Sequence, residues 1–196
     1  MRSWNGKTTS KKIVDLTADA TPLTILAEDE AKLYLQATTM AVWAPAGQPV
    51  TVRVDPGRSS TAFFGTLNLH TGQAHITQAD TMTAVTTAVH LESILAAYPT
   101  DTILLLWDKA PWHRGDAIRE VLAAHPRLTL WAFPTAAPDL NPQEHVWRAT
   151  RRAVAHNHTQ RQLPELARRF AEFLTTTTFP STFLAKYSYP VCPGFT

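Results

Sequence analysis

The chain has 196 residues, of which 44% are hydrophobic and 17% are charged, a balance typical of one folded domain with a buried core. Its single cysteine, Cys192, excludes an internal disulfide framework and a cysteine-rich zinc site. The formal net charge of +2 permits a nucleic-acid partner but does not argue for one. No apolar run approaches the roughly 20 residues of a membrane helix, and no signal-peptide core follows the basic N-terminus, so we predict an intracellular, soluble protein.

The first predicted strand carries an unusual run of acids. Residues 1–22 form a polar lead-in, and the strand follows from Thr24 to Leu35. Asp29 lies in it between Glu28 and Glu30. Three consecutive carboxylates repel one another, so at least one must face a positive group, or the strand must end there.

The remaining elements change from strands to alternating helices and strands. Short strands joined by turns follow first, and their quick succession favours antiparallel pairing. Apolar residues then recur at helical spacing before a continuous apolar run that is typical of a central strand. In order, we predict strands at Val50–Val54, TAFFGTLNL and just after the Thr71–Gly72 turn, a helix from Met82 to Tyr98, a strand from Ile103 to Trp107, a helix from about Asp116, a strand from Leu128 to Ala132, and helices from Pro142 to about Ala155 and from Leu163 to Leu174.

A stiff, proline-rich stretch, PTAAPDLNPQEHVW, leads from Pro134 to Trp147. Each proline fixes its own φ and moves the residue before it away from the helical conformation. Asn141 is suited to cap the following helix, and Pro142 to occupy its first position, where a missing N–H costs nothing. Glu144 then falls in the first turn, so the stretch presents a carboxylate at a fixed place.

This order of elements predicts an α/β fold with a mixed sheet, antiparallel strands first, and helices on both faces. Sites in such sheets lie at the carboxyl ends of parallel strands. Asp108 ends one such strand, and Glu144 follows the next. Each acid alone also has an ordinary structural explanation: Asp29 as a solvated strand residue, Asp108 as a turn cap, and Glu144 as a partner of the helix dipole.

Together these motifs resemble the catalytic domain of DDE transposases, in the bacterial insertion-sequence branch related to mariner elements (the "six-thirty" group). The resemblance runs from about Thr24 to His156. It is carried by the DE pair, VWAPAGQP, the FFGTLN…TG hairpin, D-x-A-P-W-H after an apolar strand, and P-D-L-N-P-x-E-x-x-W. It implies a ribonuclease H-like fold, which agrees with the predicted order of elements.

The resemblance implies that Asp29, Asp108 and Glu144 are the catalytic triad and bind Mg²⁺ or Mn²⁺, as two ions. Exchange at a DNA phosphodiester needs charge stabilised on the attacking and leaving oxygens, which two divalent ions about 3.5–4 Å apart provide. Magnesium prefers such oxygen ligands. Asp108 is expected to bridge the ions, with the other two acids each completing one site. Glu28 and Glu30 compete with Asp29 for its role, and the family pattern picks the first acid of the DE pair.

Further residues are expected to contact DNA, namely Lys109, His113, Arg148, Arg151 and Arg152. Helical steps of four, seven and eight from Glu144 reach the three arginines, which suit phosphate by geometry and charge. A solvated helix face is the alternative for them. Lys109 departs from the small or amide residue usual in the family, and it either contacts phosphate or points to solvent. His113 matches a histidine of the family and either contacts DNA or orients Asp108.

Transposases of this kind normally carry helix-turn-helix modules ahead of the catalytic domain, which read the terminal inverted repeats of the element. The lead-in of residues 1–22 is too short for one. We therefore expect the catalytic half alone, as a separately encoded partner of a helix-turn-helix protein, a frameshift-fusion product or a truncated remnant. Mariner-like relatives imply a homodimer on paired DNA ends. We expect the protein in the cytoplasm, associated with the nucleoid.

The sequence thus predicts a polar lead-in over residues 1–22, a ribonuclease H-like catalytic domain over 23–174, and an irregular tail over 175–196. The predicted function is a transposase catalytic domain that cuts DNA at element ends and joins the freed 3′-hydroxyl to target DNA. One alternative is a catalytically silent DNA-binding or assembly subunit. Another is a nuclease of the same fold that cleaves but never joins strands.

Overall fold

The computed structural model describes residues 22–41, 43–48, 51, 59–134 and 140–179. Within this part of the chain, a five-stranded sheet has the strand order β3-β2-β1-β4-β5. Its strands are β1 (Leu23–Tyr34), β2 (Ser60–Asn68), β3 (Ala74–Ala79), β4 (Thr102–Trp107) and β5 (Leu128–Ala132). The α-helices are α1 (Ala84–Ala97), α2 (Asp116–Ala124), α3 (Pro142–Thr150) and α4 (Leu163–Thr176).

The sheet is mixed, as predicted. β1 pairs antiparallel with β2, and β2 with β3. β4 lies parallel to both β1 and β5. Helices α3 and α4 pack on one face of the sheet, while α1 and α2 pack on the other, so each face has its own hydrophobic core. The predicted α/β fold, with helices on both faces of a mixed sheet, is confirmed.

Side chains of β1 alternate between the two cores, because successive residues of a strand point to opposite faces. Ala27 and Ala31 pack on the face covered by α3 and α4. Leu26 packs on the face covered by α1 and α2. Asp29 has the same parity as Ala27 and Ala31, so its side chain belongs to the α3 face.

The predicted elements that fall on described residues are present, and one of them differs in form. The helix predicted from Pro142 to about Ala155 is α-helical to Thr150 and continues as a π-helical turn, Arg151–Ala155. The N–H of His156 donates to the carbonyl oxygen of Arg151, 2.9 Å away and five residues back. Such a turn is wider than an α-helical one. It therefore changes the angular spacing of side chains from Arg151 onward.

Some predictions fall outside the described residues: the lead-in before residue 22, the strand at Val50–Val54, part of the proline-rich stretch, and the tail after residue 179. Helix α4 continues to Thr176, two residues past the boundary at 174. In the described part of the chain, no helix has the length and apolar character needed to cross a bilayer.

A buried histidine ties α1 to the antiparallel edge of the sheet. His90 has its Nε2 2.9 Å from the hydroxyl of Thr66 on β2 and its Nδ1 2.8 Å from the hydroxyl of Thr77 on β3. Burial is the main reason that the pKa of His90 is lowered to about 3, and the neighbouring His75 adds to the effect. The folded protein therefore holds this ring neutral.

We predict that His90 makes the fold sensitive to mild acid. The unfolded chain binds a proton at this histidine below about pH 6.5, whereas the folded chain does so only near pH 3. The free energy of unfolding should therefore fall by about 2 kcal/mol, from this group, between about pH 7 and about pH 5. Urea unfolding curves at both pH values measure the change.

The His90→Gln variant is the control, because glutamine can still bond a threonine hydroxyl but does not titrate. Buried carboxyl groups elsewhere act with the opposite sign, so the quantity to compare is the difference between the two proteins. Equal pH dependence in wild type and variant would show that His90 is not the group responsible.

Candidate active site

The register of β1 separates its three consecutive acids onto two faces. Asp29 lies directly opposite Gly65 of β2. A Cβ atom on Gly65 would meet Gln143 Nε2 and Trp147 Cη2 of α3, each at 2.4 Å. Directly opposed residues of an antiparallel pair share a face. Asp29 therefore faces α3, while Glu28 and Glu30 face α1 and α2.

The charges around Asp29 show that the three predicted acids come together. Burial, which has the largest effect, and then the negative charges of Glu144, Glu30 and Asp108, in that order of size, together raise the pKa of Asp29 to about 8. The backbone N–H of Glu30 lowers it in part. Asp108 and Glu144 thus lie close enough to Asp29 for their charges to interact. Strand β1, the end of β4 and the start of α3 contribute one carboxylate each.

Asp108 follows the last residue of β4, at the carboxyl end of a parallel strand, where sites of α/β sheets form. Its side chain is 52% exposed. Its Oδ1 accepts a hydrogen bond of 2.7 Å from the N–H of Ala110, which leads into the 3₁₀ turn Pro111–His113. Asp108 thus caps a turn, as its structural alternative predicted, while it also lies among the acids.

Asn141 determines where α3 begins and joins that point to β1. Its Oδ1 accepts a hydrogen bond from the N–H of Gln143 at 3.1 Å, so the predicted N-cap is confirmed. Its Nδ2 donates to the carbonyl oxygen of Glu28 at 2.8 Å. Since Glu28 is the residue before Asp29, this bond holds the first turn of α3, and with it Glu144, beside the strand that carries the first acid.

The underside of α3 lies almost on the backbone of β2. Trp147 is fully buried and stacks on Phe170 of α4, with ring centroids 6.2 Å apart. Gln143 is also fully buried. Neither amide atom of Gln143 has a hydrogen-bond partner among the described residues. Gly65 provides the space for both side chains, because any larger residue would occupy it.

On the opposite face of β1, Glu28, Glu30 and His113 form a second cluster. Glu30 Oε1 accepts hydrogen bonds from Trp112 Nε1 at 2.6 Å and from His113 Nε2 at 2.8 Å. Glu28 is buried, and its carboxylate oxygens accept no hydrogen bond from the described residues. Burial, followed by the charges of Glu30, Asp29 and Asp108, raises its pKa well above the usual range. Glu28 therefore ionises much less readily than an exposed glutamate.

His113 joins this second cluster to Asp108. Its Nε2 faces Glu30, and its Nδ1 lies 3.1 Å from both the carbonyl oxygen and Oδ1 of Asp108. Burial lowers the pKa of His113, but the hydrogen bond and charge of Glu30, together with Asp108, outweigh it and raise the pKa overall. His113 is thus the basic side chain that the acidic run of β1 faces, on the side that carries Glu28 and Glu30.

The residues expected to contact DNA differ in their exposure. The side chain of His113 is only 3% exposed, so of its two predicted roles we retain the orientation of Asp108. Lys109 is exposed and adjoins Asp108. Arg148 and Arg152 are exposed, and Arg151 is half-buried. Arg148 keeps the predicted alignment with Glu144 on one α-helix, whereas the other two lie in the π-helical turn.

The side chains of Asp29, Asp108 and Glu144 have the chemistry of ligands for a divalent cation. All three offer hard oxygen ligands, which Mg²⁺ and Mn²⁺ prefer. Each of the other two acids makes Asp29 harder to ionise, as its raised pKa shows. A dication among them would reverse that repulsion. Their carboxylates are therefore residues that could hold a metal, and Glu28, Glu30 and His113 form a second group of possible ligands.

Comparison with known proteins gives one family and one fold. A family model described as DDE superfamily endonuclease matches residues 24–167, from β1 into α4. The Mos1 transposase paired-end complex with left transposon end is similar, with a TM-score of 0.62 and 15% identity over 92% of this chain and 56% of that chain. The Mos1 mariner paired end complex with Mn has a TM-score of 0.62 and 15% identity, over 92% of this chain and 57% of that chain. The catalytic domain of Mos1 mariner transposase has a TM-score of 0.55 and 13% identity, over 92% of this chain and 83% of that chain.

At these identities, the structural likeness shows the fold, which is ribonuclease H-like as predicted. The chain spans little more than half the length of the Mos1 chains in the two complexes. No curated protein matches its sequence.

Sequence reasoning does not find the contacts that bring the acids into register. It identifies Gly65 only as part of a strand, and it predicts neither the position of Gln143 nor the bond from Asn141 to Glu28. It considers Glu30 only as a rival metal ligand. The one available signal is the glycine inside an otherwise apolar strand, which often marks a close approach of another backbone or side chain.

We predict that Gly65→Ala destabilises the protein by about 1–3 kcal/mol, the usual cost of overpacking a core. The added methyl group would meet the Trp147 ring at 2.4 Å, and that ring is fully buried and cannot move aside. Chemical denaturation measures the loss of stability.

The Trp147→Phe background provides the matched control. Phenylalanine lacks Cη2 and Cζ2, the two indole atoms that lie nearest the new methyl group. Gly65→Ala should therefore cost less in Trp147→Phe than in the wild-type protein, as a double-mutant cycle would show. An identical cost in both backgrounds would mean that Trp147 does not impose the glycine.

Proposed function

We propose that this chain, which belongs to the DDE superfamily endonucleases, is the catalytic domain of a transposase. In this proposal Asp29, Asp108 and Glu144 bind Mg²⁺ or Mn²⁺ as two ions, and the protein cuts DNA at element ends and joins the freed 3′-hydroxyl to target DNA. The observation that carries the proposal is the convergence of three acids from separate elements, which helps to raise the pKa of Asp29 to about 8.

The chemistry follows from what each residue offers. Divalent cations held by the triad would stabilise charge on the attacking and leaving oxygens of a phosphodiester. Asp29 offers a carboxylate from the rigid centre of the sheet, and Asp108 offers one at its exposed edge. Glu144 completes the set from the first turn of α3, which Asn141 holds against β1.

DNA is the partner that the site and its surroundings favour. The solved Mos1 complexes are described with a transposon end, with Mn or with Mg, which supports DNA and these metals by analogy. Arg148, Arg151, Arg152 and Lys109 would contact the phosphate backbone beside the acids. We extend the proposal to a homodimer on paired ends and to a helix-turn-helix partner that reads the terminal repeats. We also propose that the protein is associated with the nucleoid and that it belongs to the bacterial insertion-sequence branch of the family.

We predict that Asp29→Asn, Asp108→Asn and Glu144→Gln each reduce metal-dependent nicking of a supercoiled plasmid by more than about 100-fold. Loss of a group that merely supports a metal ligand costs about 10- to 100-fold, so loss of a ligand should cost more. Agarose-gel assays in Mg²⁺ and in Mn²⁺, with thermal unfolding to confirm the fold, measure the effect.

Glu120→Gln, an exposed carboxylate on α2, serves as the control. Wild-type nicking by the Asp108→Asn protein would overturn the assignment of the triad. A wild-type protein without saturable Mn²⁺ binding would indicate a catalytically silent subunit. Nicking without any transfer of a 3′-hydroxyl to target DNA would indicate a nuclease of the same fold.

We also predict that Arg148→Ala, Arg151→Ala and Arg152→Ala each weaken binding to a labelled DNA duplex. Removal of an arginine that neutralises one phosphate should reduce the slope of log affinity against log salt by about 0.9. Fluorescence anisotropy over a range of salt concentrations measures the slope.

Arg119→Ala removes the same charge from α2, on the opposite side of the sheet, and should leave the slope unchanged. If the variants on α3 and its π-helical turn behave like Arg119→Ala, the solvated-face alternative is correct.

A further inference from the structure

We propose that Glu30 and His113 are positioning residues that fix the carboxylate of Asp108 for metal binding. The inference deepens the proposed function and rests on it. It gives the second acid of the DE pair a role of its own, on the face of β1 opposite to Asp29, where it acts through a histidine and touches neither metal nor DNA.

The geometry of the His113 ring carries the inference. Its Nδ1 lies 3.1 Å from Oδ1 of Asp108 and 3.1 Å from the carbonyl oxygen of the same residue. Its Nε2 lies 2.8 Å from Oε1 of Glu30. One ring thus spans the distance between a buried carboxylate on β1 and an exposed carboxylate at the end of β4. A histidine that has an acceptor at each nitrogen is fixed in orientation.

The ring and its anchor have little freedom to move. His113 stacks on Trp107, the last residue of β4, with ring centroids 4.2 Å apart and planes within 10°. Trp112 donates its indole N–H to the same oxygen of Glu30 at 2.6 Å. The side chains of His113 and Glu30 are each only 3% exposed. The anchor is therefore held by two donors and by packing.

Asp108 needs such support because its own position provides little. Its side chain is 52% exposed and follows the end of a strand. Oδ1 of Asp108 lies 2.7 Å from the N–H nitrogen of Ala110 and 3.1 Å from Nδ1 of His113. Two donors on one carboxylate oxygen fix its side-chain rotation. Neither of these donors bonds to Oδ2. A cation can therefore bind that second oxygen without displacing either donor.

The same cluster has the composition of a metal site of its own. Ligand atoms of Glu28, Glu30 and His113 all lie within 4.8 Å of one another, and the oxygens of Glu28 accept no hydrogen bond from the described residues. The positioning role is favoured because Glu30 Oε1 already accepts two short hydrogen bonds. A cation at Nε2 of His113 would have to break the 2.8 Å bond to Glu30. The metal alternative becomes one outcome of the test.

Three variants of the full chain separate these roles. His113→Phe keeps a ring on Trp107 but removes both nitrogens. His113→Asn keeps a donor near the position of Nδ1 and so can still reach Asp108. Glu30→Gln keeps the acceptor but removes the charge. His125→Phe, at the end of α2 and outside both clusters, is the matched control.

The measurements are the Mn²⁺ affinity of each protein, from the electron paramagnetic resonance signal of free Mn²⁺, and plasmid nicking as a function of Mn²⁺ concentration. We expect His113→Phe to bind Mn²⁺ about 10- to 100-fold more weakly than wild type, as loss of an outer-shell partner does. Nicking should recover towards wild type at saturating Mn²⁺, with an unchanged KM for the plasmid. His113→Asn and Glu30→Gln should lose less, and His125→Phe nothing. Loss of the fold would not be restored by metal.

Every other result overturns the inference. Wild-type Mn²⁺ affinity in His113→Phe would reject the positioning role and leave the proposed function standing. Binding that survives Asp108→Asn but disappears in Glu28→Gln and His113→Phe would show that the second cluster is itself a metal site. A wild-type protein that neither binds Mn²⁺ nor nicks DNA would remove the proposed function, and this inference with it.

Discussion

Gly65 lies opposite Asp29 in the sheet, and the absence of its side chain lets α3 rest directly on β2. Trp147 and Gln143 fill the space that a Cβ would occupy, so the distance between helix and sheet depends on this one residue. Asn141 adds the second constraint, since one amide both caps α3 and bonds to the backbone beside Asp29. These two contacts fix the distance of α3 from the sheet and the residue at which it begins. The direction in which Glu144 points then follows from helical geometry.

The alternation of β1 divides one acidic run between two tasks. Asp29 lies on the α3 face, where burial and then the neighbouring carboxylates raise its pKa to about 8. Glu30 enters the other face and meets a histidine and an indole, which use its charge for hydrogen bonds. The strand tolerates three adjacent carboxylates because its pleat directs them to alternate faces of the sheet. Glu30 also finds hydrogen-bond donors on the face to which it points. Glu28 accepts no hydrogen bond from the described residues, and burial raises its pKa.

Much of this fold could be predicted from the sequence, because the information is local. Apolar periodicity locates the described strands and helices, and the Asn141–Pro142 pair marks the start of α3. The choice among Glu28, Asp29 and Glu30 cannot be made from the residues alone, since it depends on which face of β1 receives α3. That contact joins residues far apart in the chain. The π-helical turn after Thr150 also escapes prediction, because a helical pattern does not reveal a widened turn.

The pairing of β4 with β1 explains why Asp108 and His113 belong together. β4 ends in Trp107, whose ring supports His113, and the chain then turns through Asp108 and back over the strand in one 3₁₀ turn. That turn returns His113 to the carboxylate that precedes it by five residues while its far nitrogen reaches Glu30 on the adjacent strand. The same short segment therefore supplies an exposed acid and the side chain that fixes its orientation. An exposed acid at a strand end is held in one orientation here because its support comes from the α1/α2 face of the sheet, where Glu30 and His113 lie.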